Sequence, residues 1–253
     1  MNASDVTYLP SVPSTNTWLR ENAELFGNGH LVVTSDQTAG RGQRGNFWEA
    51  EPGKNLTFSM LLRDNGLKAA RQFAISEGVA LGVLEVLRKE LAGYVAPEKI
   101  KVKWPNDIYV ADDKIAGILI EHTLSGNNLS RSVVGIGVNV NQTIFTSSAP
   151  NPVSMAQLSG HCDFNLDSIM ERIAKAIMHR MELICVSDKE QTRQHREFLE
   201  NMWRNDGEAH RFQLPDTSCF AARIHTVEPD GMLALKLPDG DIHHFAFKEV
   251  AFI

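Results

Sequence analysis

The sequence predicts an α+β fold ending in a small β-barrel, on three observations. Helical and strand-like patterns intermix up to about residue 205, whereas from His210 onward only short strands and turns follow. The turns Pro229-Asp230-Gly231 and Pro238-Asp239-Gly240 are strong hairpin signals. Five short strands suit a barrel of the SH3 type, which removes exposed sheet edges. The expected division is therefore 1–205 and 206–253, with the change of texture at Asn205-Asp206-Gly207.

The bulk numbers set limits. A chain of 253 residues, 43% of them hydrophobic, can bury a sizeable core. Its net charge of -6 does not suit a surface that neutralises nucleic-acid phosphates. Cys162, Cys185 and Cys219 are scattered and odd in number, so neither a zinc site nor a disulfide framework is expected, and a cytoplasmic protein is. The first residues carry no basic region followed by an apolar run, and no stretch approaches the ~20 apolar residues of a membrane span.

Taken in order, residues 1–13 read as a short segment containing Pro10 and Pro13. Ser14 or Thr15 can cap a helix running to about Leu25. A strand is expected at 30–35 and another at 54–62. The 68–91 segment carries Phe73, Val79, Val83, Leu84, Leu87 and Leu91 at helical spacing and reads as a core helix. Further helices are expected from Asp167 to about Ile184 and from about Asp188 to Met202. Their histidines, His179 and His195, read as surface residues.

Two stretches carry chemistry. In Lys103-Trp104-Pro105-Asn106-Asp107, alternation marks a half-buried strand that Pro105 must stop, since it has no N–H for a ladder. Ile108-Tyr109-Val110 is a second strand, and Lys114 opens a third that runs to Glu121. Two reversals in so few residues can bring Lys103, Asp107 and Lys114 to one end of one sheet. The other stretch, Asp36 to Trp48, places three glycines and two arginines directly after a strand. Such a loop can turn backbone N–H groups and forked donors toward an anion. It is neither a Walker loop nor the dinucleotide fingerprint. Finally, Gly135-Ile136-Gly137-Val138-Asn139 is a strand whose glycines share one face, which a ligand or another backbone can approach closely.

Three motifs in order resemble the bacterial biotin–protein ligases: Thr38 to Gly45, Lys103 to Asp107 with Lys114 to Leu119, and Gly135 to Asn139. With the trailing β domain, the resemblance covers the chain from about Val12 onward. It implies the mixed β-sheet catalytic domain of the biotin/lipoate ligase, class II synthetase-like, type. It implies two steps as well: biotin and Mg·ATP give biotinyl-5′-AMP, and a lysine of a biotin carboxyl carrier protein then takes the biotinyl group. Mg²⁺ would accompany ATP, and no protein metal site is expected.

By motif position, Arg41 resembles the arginine bridging biotin and phosphate. Lys114 resembles the lysine between the biotin carboxylate and the α-phosphate, and Asp107 the acidic residue near the reacting centre. The implied biotin-binding residues are Ser14, Thr15, Asn16, Gln37, Gly40, Arg41, Gly42, Lys114 and Gly117. The implied ATP-binding residues are Arg41, Arg44, Trp48, Lys103, Asn106 and Asn139, with Trp48 helping close the glycine loop over ligand.

The sequence departs from some relatives, which carry a third arginine where Gln43 stands. Only thirteen residues precede Ser14, too few for two helices of about 11 residues each, so no DNA binding is expected. Sheet edges would permit a homodimer. A lipoate- or octanoate-transferring relative and a non-catalytic biotin sensor are the rival readings.

Overall fold

The structure is a computed structural model and describes residues 6–43, 47–63, 67–146 and 151–253. Its body is a seven-stranded mixed sheet of β1 (Val6–Val12), β2 (Leu31–Gln37), β3 (Leu56–Arg63), β4 (Ile100–Lys103), β5 (Asp107–Val110), β6 (Asp113–Ser125) and β7 (Asn128–Val138). The spatial order is β1-β2-β3-β7-β6-β5-β4, and only the β1–β2 pairing is parallel. Strand β1 was not expected, because two prolines lie in or near it. As an edge strand it tolerates Pro10, which skips one register position between Leu9 and Ser11.

Alternation gives the two faces of the sheet different tasks. Phe58, Met60, Val134, Ile136, Val138, Ala116 and Ile118 belong to the main core. That core includes apolar positions of α2 (Phe73–Glu90) and α4 (Leu166–Val186), and Phe198 of α5 (Asp188–Glu200). The helices keep close to their expected bounds because apolar spacing and caps agree. Asn165 caps α4 through Ser168 N at 2.9 Å, and Ser187 caps α5 through Glu190 N at 3.1 Å.

The opposite face carries Thr57, Ser59, Gly135, Gly137, Gly117, Leu119 and Glu121, strand neighbours in register. It is covered at one end by α1 (Thr15–Glu21), whose Leu19 packs with Val32, Leu61 and Val133. The expected helix to Leu25 stops at Glu21 and continues only as a 3₁₀ turn, Ala23–Leu25. A short helix, α3 (Met155–Ser159), is closed by a Ser154–Gln157 capping box.

After α5 come β8 (His210–Gln213), β9 (Cys219–Val227), β10 (Leu233–Lys236), β11 (Ile242–Phe245) and β12 (Ala251–Phe252). They form an antiparallel five-stranded sheet ordered β11-β10-β9-β8-β12, which fits the expected small barrel-like unit. Both Asp-Gly turns form, with Gly231 and Gly240 at φ 95° and 101°, where a side chain would be strained. This unit packs on the body: Trp104 Nε1 donates to Gly231 O at 3.0 Å. Among the described residues no helix is long and apolar enough to cross a membrane.

Candidate active site

A cavity of about 90 Å³ lies on the α1-covered face of the large sheet. Its lining includes Ser14, Thr15, Asn16 and Gln37 at one end and Asn106, Asp107 and Lys114 at the other. Arg41, Gly42, Gln43, Phe47 and Trp48 come from the glycine loop, and Gly117, Gly135 and Gly137 from the floor.

At the second end, Lys114 Nζ lies 2.7 Å from Asp107 Oδ1. The local fold explains how they meet. Lys114 and Gly117 are three residues apart on one strand and would ordinarily face opposite ways. The β5–β6 register slips between Ile108 and Tyr109, so that Ala116 opposes Ile108 while Lys114 opposes Tyr109. One extra residue in β6 re-aims Lys114, as bulges do. Its Nζ then lies 3.3 Å from where a β-carbon on Gly117 would stand. Asn106 fixes the preceding turn: its amide donates to Ile118 O, and its carbonyl accepts from Ile118 N at 2.9 Å.

The first end is a polar network. Gln37 Oε1 accepts from Thr15 N at 3.0 Å and from Thr15 Oγ1 at 3.2 Å. Ser14 caps α1 through Thr17 N at 3.4 Å. Ser59 Oγ stands 2.8 Å from Thr15 Oγ1 and 2.6 Å from Asn16 Oδ1. Capping and cavity lining are thus both served by one set of hydroxyls.

The glycine loop closes at its base. Trp48 N donates to Gly40 O at 3.1 Å, and Arg41 bridges Phe47. Gly40 is needed here because a β-carbon would meet Trp48 O and Gln37 Nε2. The Trp48 indole lies on the floor against Gly137 and Gly117, with its Nε1 buried and unpartnered among the described residues. With the indole on the floor, the cavity is smaller than the roughly 300–1,000 Å³ usual for ligand sites.

Three of the expected site residues make contacts that the sequence does not show. Arg41 lines the cavity, and its NH2 lies 3.2 Å from Glu121 Oε1, four residues along β6 from Gly117, a strand distance of roughly 13 Å. The guanidinium therefore sits at the Thr15–Asn16 end. Lys103 does not line the cavity. Its Nζ is 3.0 Å from Tyr109 Oη and lies 4.4 Å and 4.8 Å from the Tyr109 and Trp203 ring centroids. Burial pushes its pKa down and that of the Tyr109 phenol up to about 12. Asn139 is buried and turned into the structure, donating to Val153 O at 3.1 Å. Arg44, also expected at ATP, lies outside the described residues.

Sequence reasoning passed over Ser59 and Glu121. Ser59 leaves a signal, since it is a polar residue inside the apolar run Phe58-Ser59-Met60. His195, expected at the surface, is half-buried and partnered: its Nδ1 lies 2.6 Å from the buried Glu77 carboxylate.

Residues 8–139 match the model of the biotin/lipoate A/B protein ligase family. The chain belongs to that family. Among relatives of this ligase family, the bifunctional ligase/repressor BirA of Salmonella typhimurium is 37% identical over 141 residues, 55% of this chain and 42% of that protein. The chain thus spans less than half of that relative's length. The biotin–[acetyl-CoA-carboxylase] ligase of Paracoccus denitrificans is 34% identical over 158 residues, 60% of this chain and 63% of that protein. In fold, this family member resembles the biotin protein ligase of Aquifex aeolicus solved in complex with biotin and ATP. The TM-score is 0.79 at 23% identity, over 98% of both chains.

Proposed function

We propose that this ligase-family protein adenylates biotin and transfers it to a lysine of a biotin carboxyl carrier protein. The observation that carries the reading is the Lys114–Asp107 pair at one end of a glycine-floored cavity whose other end presents the uncharged polar groups of Ser14, Thr15, Asn16 and Gln37, with the Arg41–Glu121 ion pair beside them. Biotin has a neutral cyclic urea at one end and a carboxylate at the other. Ser14, Thr15, Asn16 and Gln37 supply the donors and acceptors a urea needs, and Lys114 the cation its carboxylate needs.

On this reading, a biotin carboxylate oxygen attacks the α-phosphorus of ATP and pyrophosphate leaves with the phosphorus–oxygen bond it breaks. Lys114, pre-set by Asp107, offsets the charge gathering on the two anions, which is the largest contribution a preorganised site makes. The carrier amine then attacks the biotinyl carbonyl, loses its proton, and AMP departs. Gly117 and Gly137 let ligand approach the floor closely, Gly135 makes room for Asn16, and Gly40 lets the loop backbone close on Trp48. Asn106 borders the nucleotide end, and Trp48 swings from the floor to cover bound ligand.

Among the described residues no group of three or more His, Cys, Asp or Glu could hold a metal. Mg²⁺ would accompany the nucleotide. The ion would offset phosphate charge. Residues 1–205 carry the two substrates, 206–253 forms the second unit, and a cytoplasmic place of work follows from the need for ATP and carrier.

The test is ATP–pyrophosphate exchange with Mg²⁺, run with biotin, lipoate, octanoate or no acid. Exchange dependent on biotin alone is expected. Exchange with lipoate or octanoate would move the substrate, and biotin binding without exchange would make the protein a sensor.

A further inference from the structure

Glu121 has no part in the chemistry above, yet several polar groups of the site meet on its carboxylate. Its Oε2 accepts from Asn16 Nδ2 at 3.0 Å, and its Oε1 accepts from Arg20 NH1 at 2.9 Å. Arg41 NH2 lies 3.2 Å and 3.3 Å from the two oxygens. Asn16 is buried, and its Nδ2 also donates to Leu119 O at 3.1 Å. Asn16, Ser59 and Thr15 link Glu121 to Gln37, with Ser59 Oγ donating to Asn16 Oδ1, Thr15 Oγ1 able to donate to Ser59, and Thr15 N donating to Gln37 Oε1.

The site is built for that arrangement. A β-carbon on Gly135 would run into Asn16 Oδ1, so the first glycine of the Gly-x-Gly pair makes room for Asn16. Arg41 is also the residue that bridges Phe47 across the loop base. Two guanidinium groups come together only because a carboxylate lies between them. An exposed ion pair alone would count for little. Here, losing the charge also loosens a buried amide that touches the cavity.

We infer that Glu121 is a positioning residue for the urea-binding end of the site: it holds Arg41 and Asn16 together and so sets the base of the glycine loop against Thr15 and Gln37. The inference deepens the biotin-ligase reading and rests on it. It assigns the Arg41 side chain to ring placement and leaves the phosphate to other groups.

The test is Glu121→Gln in biotin-dependent ATP–pyrophosphate exchange, with biotin varied at saturating Mg·ATP. KM for biotin should rise ten-fold or more while kcat stays within three-fold of wild type. Glu121→Asp should recover part of the loss. Arg20→Gln, which leaves the Glu121 contacts to Arg41 and Asn16 in place, should stay within two-fold. Arg41→Lys keeps the charge and loses the fork, so it should repeat the rise in KM, and it serves if Glu121→Gln does not fold. An unchanged KM for biotin, or a fall in kcat at unchanged KM, would overturn the inference while leaving the ligase reading intact. A wild-type protein with no biotin-dependent exchange would instead overturn the ligase reading, and this inference with it.

Discussion

The indole of Trp48 rests on Gly137, in space that a β-carbon there would claim from its Cε2 and Cζ2 atoms. Gly137→Ala pushes the indole off the floor, as bound ligand would, and its cost to binding is that it raises the floor under the ligand. We expect the Kd for biotin to rise at least ten-fold by calorimetry, with the helical circular dichroism signal unchanged. Retention of wild-type affinity would show that the ligand does not use this surface.

Lys114→Ala should lower adenylation by roughly 10²–10³, about 3–4 kcal/mol, comparable to removing one preorganised charge-stabilising donor. Asp107 is left without the ammonium now 2.7 Å away, and the cycle with Asp107→Asn and the double variant tests whether the pair acts as a unit. Pyrophosphate exchange is the measurement. A rate within a few-fold of wild type would remove Lys114 from the chemistry.

Lys103 looks like a ligand-binding residue in its motif, but its ammonium sits among the rings of Tyr109, Trp203 and Phe252. These rings come from β5, from the segment after α5 and from β12, so the lysine joins body to C-terminal unit. Lys103→Met keeps the apolar stem and removes the cation. It should lower stability by about 1–2 kcal/mol, the value of a partly desolvated cation–π contact. At about 2–4 °C per kcal/mol, a thermal melt resolves that loss. KM for ATP should stay within two-fold, and a ten-fold rise would return Lys103 to the nucleotide.

What the sequence made legible follows from periodicity. Alternation and helical spacing located the large helices and nearly all strands, and the Asp-Gly turns placed the hairpins. The Gly-x-Gly parity correctly marked a closely approached face, although the approaching groups are the side chains of Asn16 and Trp48. Two things broke the period. The bulge at β6 turns Lys114 toward Gly117, against simple alternation. Strand β1 hides behind Pro10, which only an edge position permits. Long side chains were the least legible: Arg41 and Lys103 have the expected backbone positions, but their charges travel several ångströms to partners far away in sequence, Glu121 and Trp203.

Such a distant partner also gives this fold a pH dependence. His195 Nδ1 lies 2.6 Å from the buried Glu77 carboxylate, and its Nε2 lies 3.4 Å from Thr226 Oγ1 of β9. The bond to Glu77 holds the imidazole pKa above its ordinary value, against the effect of burial, with Glu228 adding in the same direction. A raised folded pKa stabilises the native state fully below the unfolded value of about 6.5, and that stability is lost as pH rises through the folded pKa. Wild type should therefore lose stability across the range upward from about pH 6.5, relative to His195→Gln. Denaturant unfolding of both proteins at pH 5.5, 7 and 8.5 checks this. The stability gap between them should be widest at the lowest pH and narrow steadily. A gap that is constant, or that widens as pH rises, would mean that His195 is not held protonated by Glu77.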